Sequence, residues 1–159
     1  MTAHLLLLAI SNGVTHPLNW LVGWGLVLLA FLSGALLGVG WHRDDFLGGY
    51  ASFRRRVVRL GHIALAALGL MNVVFSLSPL PEPGTTPARL ASACFVAGGV
   101  LMPLVCFLTG WRAAWRHFFF LPVLSLVAAV IFTLWGGASV TTTIAPETTS
   151  TFTKQTGVP

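Results

Sequence analysis

Few side chains in this sequence could hold a metal or a flat cofactor, and three histidines stand out among them. His42 closes the first long apolar run, His62 lies early in the second, and His117 opens the fourth. In a membrane bundle all three fall near the same side. Neutral imidazoles at similar depth on different helices suit haem iron, another metal or a chlorophyll magnesium. His62 is the principal candidate, with His42 or His117 as second ligand. On a helix, its face continues through Ala66, Gly69, Val73 and Ser76, at steps of four, three, four and three residues. That stripe is small apart from Val73, so it would admit a macrocycle or a quinone ring. The same spacing equally lets a second helix approach closely, with His62 no more than a hydrogen-bonded boundary residue. The sequence contains no CxxCH and no familiar haem or zinc spacing.

A second group is basic. Arg54, Arg55, Arg56 and Arg59 form the densest run of charge in the chain. They would bind anionic lipid headgroups, each worth about 1 kcal/mol near a membrane surface, or acids on a partner subunit, or Asp44 and Asp45. Phe53, Val57 and Leu60 share one helical face, and the arginines ring the remainder. As a metal site the adjacent pair Asp44-Asp45 lacks further oxygen ligands nearby.

Asn72 lies in the middle of an apolar run and needs a partner there. Ser33, Ser92, Ser125 or a backbone carbonyl would serve. The runs contain no Asp, Glu or Lys, which argues against an ion-coupled transporter. No P-loop, GxGxxG, HExxH or supported Ser/His/Asp set is present, so nothing points to nucleophilic catalysis.

The elements that position these residues follow from composition. The chain has 159 residues, 55% hydrophobic and 8% charged, with mean hydropathy +0.84. A soluble domain carries roughly 25% charged residues, so this chain reads as an integral membrane protein. Its excess of base does not indicate nucleic acid, because the basic residues sit at the ends of apolar runs. A spanning helix needs roughly 20 apolar residues. Four runs meet this, at about 18–39, 58–77, 90–108 and 118–135. Pro17 suits a helix start, Ser52 an N-cap extending the second helix backwards, and Pro103 a kink in the third. Pro122 falls in the first turn of the fourth, where it is tolerated. The fold class expected is all-α, a four-helix transmembrane bundle over 1–138. A Thr-rich extramembrane tail, disordered by composition, follows over 139–159.

The connections set topology. The loop SPLPEPGTTP reads as stiff and extended, whereas GWRAAWRH is short and makes helices three and four antiparallel neighbours. Basic residues concentrate in the first and third loops, which places those loops in the cytoplasm and both termini on the other side. The start, MTAHLLLLAISNG, lacks the charge and run length of a signal peptide and reads as a segment lying at the membrane surface or tucked against the bundle. Gly34-x-x-x-Gly38, Ala93-x-x-x-Ala97 and Gly98-Gly99 read as helix contacts. Cys94 and Cys106 are twelve positions apart, about 120° around a helix, and do not form a disulfide.

Two functions fit this reading. The first is a non-catalytic accessory or assembly subunit of a larger membrane complex, of the respiratory or photosynthetic kind, in contact with lipids and other membrane subunits. The second is an electron-transfer protein binding haem, chlorophyll or quinone at His62. Abundant Arg, Ala and Gly beside scarce Lys suit a GC-rich bacterial genome and hence a bacterial inner membrane.

Overall fold

The computed structural model describes residues 13–144, with side chains through 138. The expected surface segment at the start lies largely outside that range, as does the tail from 145 onwards. Four long helices carry the fold: α1 (Pro17–Gly40), α2 (Phe53–Leu77), α3 (Thr86–Trp111) and α4 (Phe120–Ile144). Short 3-10 turns at Phe46–Gly48 and Ala113–Phe119 complete the described elements. The four long helices all have the length and apolar composition to cross a membrane.

Several boundaries differ from the sequence reading, each for a local reason. Ser52 caps α2 as expected, its hydroxyl accepting from Arg55 N–H at 3.2 Å. The third helix starts at Thr86, inside the segment read as extended loop. Thr85 caps it, and Pro87 falls at a first-turn position where no N–H is required. The fourth starts two residues after the expected 118, because the chain first makes the 3-10 turn. It then runs through Gly136-Gly137 to Ile144, beyond the expected end at 135. Pro81 and Pro87 pack on Gly136, so a glycine there admits the preceding loop against the helix.

The bundle is a row rather than a closed square. Helix α1 packs on α2, α2 on α3, and α3 on α4, with a lesser contact between α1 and α3. Two clusters make the core. Leu26, Ala30 and Leu65 join α1 to α2, with Phe107 of α3 against them. Phe75, Ala91, Phe95 and Ala129 join α2, α3 and α4. The outer helices consequently expose most of their apolar side chains, Phe31, Leu36, Leu124 and Leu134 among them. Contiguous apolar surface of this extent marks a membrane or protein contact.

Helices α1 and α2 approach closely at two glycines. A Cβ on Gly23 would meet the Gly69 carbonyl oxygen at 2.8 Å, and a Cβ on Gly69 would meet the Gly23 oxygen at 2.9 Å. Backbone therefore touches backbone. The seam differs from the expected Gly34-x-x-x-Gly38, since Gly38 faces open space. The Gly98-Gly99 pair does act as a contact: Gly98 admits Leu126 of α4 and Gly99 admits Asn72 of α2. Ala93, by contrast, is exposed. Both cysteines are free.

Candidate functional site

Beside the Gly23–Gly69 seam lies a buried polar network. Asn19 and Asn72 are both 0% exposed. Asn19 Nδ2 donates to Asn72 Oδ1 at 2.9 Å and to the Ser92 carbonyl at 3.4 Å. Ser92 Oγ donates in turn to Asn19 Oδ1. Asn72 Nδ2 donates to the carbonyls of Leu68 at 2.9 Å and Phe95 at 3.2 Å. Three helices are thus tied by two amides and one hydroxyl. The sequence reading found Asn72 and included Ser92 among its candidate partners, but missed Asn19, which sits too near the start of α1 to look central. Ser33 and Ser125 are engaged elsewhere, Ser125 Oγ with the Cys94 carbonyl.

Ser33 belongs to His62. Its hydroxyl donates to the Ala30 carbonyl at 3.0 Å and lies 3.1 Å from His62 Nδ1. The hydroxyl joins the imidazole as donor or acceptor according to the ring tautomer. Gly34 makes room for the ring: a Cβ there would meet His62 Cε1 at 2.8 Å. The imidazole lines a groove of about 620 Å³ between α1 and α2, with Trp24, Phe31, Ala35, Ala66 and Leu70.

The expected stripe below His62 divides in two. Ala66 lines the groove. Gly69 and Val73 press on Gly23, and Ser76 is buried, its carbonyl accepting from Thr15 N–H at 2.9 Å and its hydroxyl donating to Val73. The lower half of the stripe is helix packing. The other histidines do not join the groove. His42 is exposed just past α1, with Nδ1 against the Gly38 carbonyl at 3.2 Å. It lies eight residues beyond Gly34, about 12 Å at the helical rise. His117 is exposed in the 3-10 turn before α4. Among the described residues, no group of three or more His, Cys, Asp or Glu is placed to hold a metal ion. His62 is therefore the one histidine of the three set in a lateral cavity.

A second groove, about 480 Å³, opens on the other side of α1. Leu29, Leu32 and Leu36 of α1 and Val100, Leu104 and Phe107 of α3 line it.

The basic run is not a uniform ring. Arg54 Nε donates to the Gly110 carbonyl at 2.7 Å, which brings the first and third loops to one end of the bundle. Arg55 and Val57 are buried, whereas Phe53 and Leu60 are exposed. Trp41 and Tyr50, from the chain between α1 and α2, account for this by covering Arg55. Among the described residues the acids pair only through an exposed Arg43–Asp45 contact at 3.5 Å.

At the opposite end His16 immediately precedes α1, its ring stacked on Phe75 with centroids 4.5 Å apart rather than capping the helix. Burial holds its pKa below the ordinary imidazole value, opposed by a hydrogen bond with the Pro81 backbone. The sequence reading did not single out His16, because nothing in its neighbours signals that Phe75 will cover it. Comparison with protein-family models, curated proteins and solved structures finds no match for this chain.

Proposed function

We propose that this chain is a non-catalytic accessory or assembly subunit of a larger integral membrane complex, of the energy-converting kind. The observation that carries this reading is how its polar and apolar groups are divided. The buried amides are spent on joining its own helices. The outer faces of α1 and α4 are apolar, and α1 is flanked by two lateral grooves of about 480 and 620 Å³. Between membrane helices, packing of shape against shape replaces the hydrophobic drive available in water. Grooves of this kind seat the side chains of neighbouring helices. The membrane is the bacterial inner membrane, with the arginine-rich end in the cytoplasm and both termini opposite. Clustering of Arg43, Arg54, Arg55, Arg56, Arg59, Arg112 and Arg116 at one end supports that orientation.

The test is photo-crosslinking from Leu32 and Leu36 in native membranes, followed by solubilisation in mild detergent. Discrete crosslinks to other membrane subunits are expected. A lone monomer without crosslinks would end this reading.

A second reading is favoured by one observation, the place of His62 on the wall of the groove between α1 and α2, with its Nδ1 held by Ser33. It supports a haem-, chlorophyll- or quinone-binding electron-transfer protein in which His62 alone supplies the ligand or hydrogen bond. A purified protein with no pigment absorption band and no extractable quinone rules it out.

A further inference from the structure

We propose that Arg55 and Arg59, held against Trp41 and Tyr50, form a binding site for an anionic phosphate group, supplied by the headgroup of an anionic membrane lipid. The Arg55 guanidinium carbon lies 5.5 Å from the Trp41 ring centroid and 5.3 Å from that of Tyr50. The Arg59 carbon lies 5.0 Å and 6.0 Å from the same two rings. Two cations one helical turn apart thus share one pair of aromatic rings. Arg55 is only 7% exposed, and the Nε atoms of Arg55 and Arg59 are both buried without a hydrogen-bond partner among the described residues.

Ring contacts of this kind answer the charge of a guanidinium but not its in-plane N–H donors. A buried donor normally finds an acceptor, and the described residues supply none to these two Nε atoms. The acids do not help, since Asp45 reaches Arg43 alone. The arginines also stand in the first two turns of α2, at the positive end of its dipole. No acidic residue occupies that first turn. The two guanidinium charges and the helix N-terminus both favour an anion here.

The site also has room. A hollow of about 260 Å³ opens beside Arg59, lined by Tyr50, Ala51, Arg56 and Arg59. That is below the roughly 300 Å³ at which drug-sized ligand sites begin, and suits one small charged group. Guanidinium forks match both phosphate and carboxylate. Depth selects between them: Trp41 directly follows α1 and Tyr50 precedes α2, and these residue types settle at the level of lipid headgroups. Arg54 is outside the site, because its Nε is committed to Gly110.

The experiment uses the full chain, delipidated in non-ionic detergent. It is titrated with short-chain phosphatidylglycerol, phosphatidylcholine of the same chain length, and inorganic phosphate. Native mass spectrometry counts retained lipid, and thermal unfolding reads protection. Phosphatidylglycerol should bind about tenfold more tightly than phosphatidylcholine. Arg59→Gln should weaken it about five- to tenfold, consistent with the loss of one basic contact near a membrane surface. Arg54→Gln should leave it unchanged. Because Arg55 is buried, Arg55→Gln could unfold the chain. Arg59→Lys is therefore the companion variant, keeping the charge but losing the fork. Protection by inorganic phosphate alone, sensitive to Arg59→Gln, would support the phosphate site and overturn the lipid as its source. Equal binding of both lipids with no effect of phosphate would overturn the proposal. So would a folded Arg59→Gln protein that binds phosphatidylglycerol normally.

Discussion

Two glycines two positions apart on α1 offer a sharp test of the helix seam. Gly23 lies against α2, where an added Cβ would sit 2.7 Å from Val73 Cγ2, 2.8 Å from the Gly69 oxygen and 2.8 Å from Val73 N. Two of these three atoms are backbone, so they cannot turn aside, and the helices must separate. Gly25 has nothing within 4 Å of its would-be Cβ. Both positions are interior to the same helix, so Gly→Ala brings the same gain in helix propensity, up to about 1 kcal/mol. Subtracting one variant from the other removes that term and leaves the overpacking cost, about 1–3 kcal/mol. Separation should also strain the Asn19–Asn72 bond, since Asn19 is one turn from Gly23 and Asn72 three residues from Gly69. Interhelical hydrogen bonds in membranes are worth about 0.6 kcal/mol on average and up to about 1.7. Gly23→Ala should therefore be less stable than Gly25→Ala by about 1–5 kcal/mol when these ranges are combined. Reversible unfolding in bicelles measures the difference. Values within about 0.5 kcal/mol of each other, the range of surface substitutions, would refute backbone contact at this seam.

Other outcomes follow from the same geometry. Asn19→Leu leaves Asn72 Oδ1 and the Ser92 hydroxyl without their buried partner, and should cost about 1–3 kcal/mol in the same unfolding assay. His16 has a depressed pKa when folded, so the unfolded chain takes up the proton first as pH falls. Stability should be full above the unfolded imidazole value of about 6.5 and decline as pH drops below it; His16→Gln should flatten that decline in a pH series of melts. For topology, Ala51→Cys should react with a membrane-impermeant thiol reagent only in inside-out vesicles, and Glu82→Cys only in right-side-out ones, in a background with Cys94 and Cys106 replaced by serine.

The sequence alone determined that four helices form and roughly where, because each apolar run is long enough to span and ends in polar or helix-breaking residues. It also determined the charge asymmetry, since most of the arginines fall between two pairs of runs. It found His62 and Asn72, because a polar residue inside an apolar run is conspicuous. Only the tertiary structure decided who meets whom. Asn19 pairs with Asn72 across fifty-three positions, and Ser33 meets His62 rather than Asn72. The stripe below His62 became half groove and half seam, because small residues permit either outcome until the partner helix chooses its crossing point. Gly23 and Gly25 look alike in the sequence, yet one touches backbone and the other faces open space. Arg55 is buried where its neighbours in the basic run are not, because Trp41 and Tyr50 fold over it from a loop whose path no helical periodicity encodes. Periodicity fixes which residues share a helix face, but contact between faces depends on helix rotation and loop path, which are set by the packing of the whole chain.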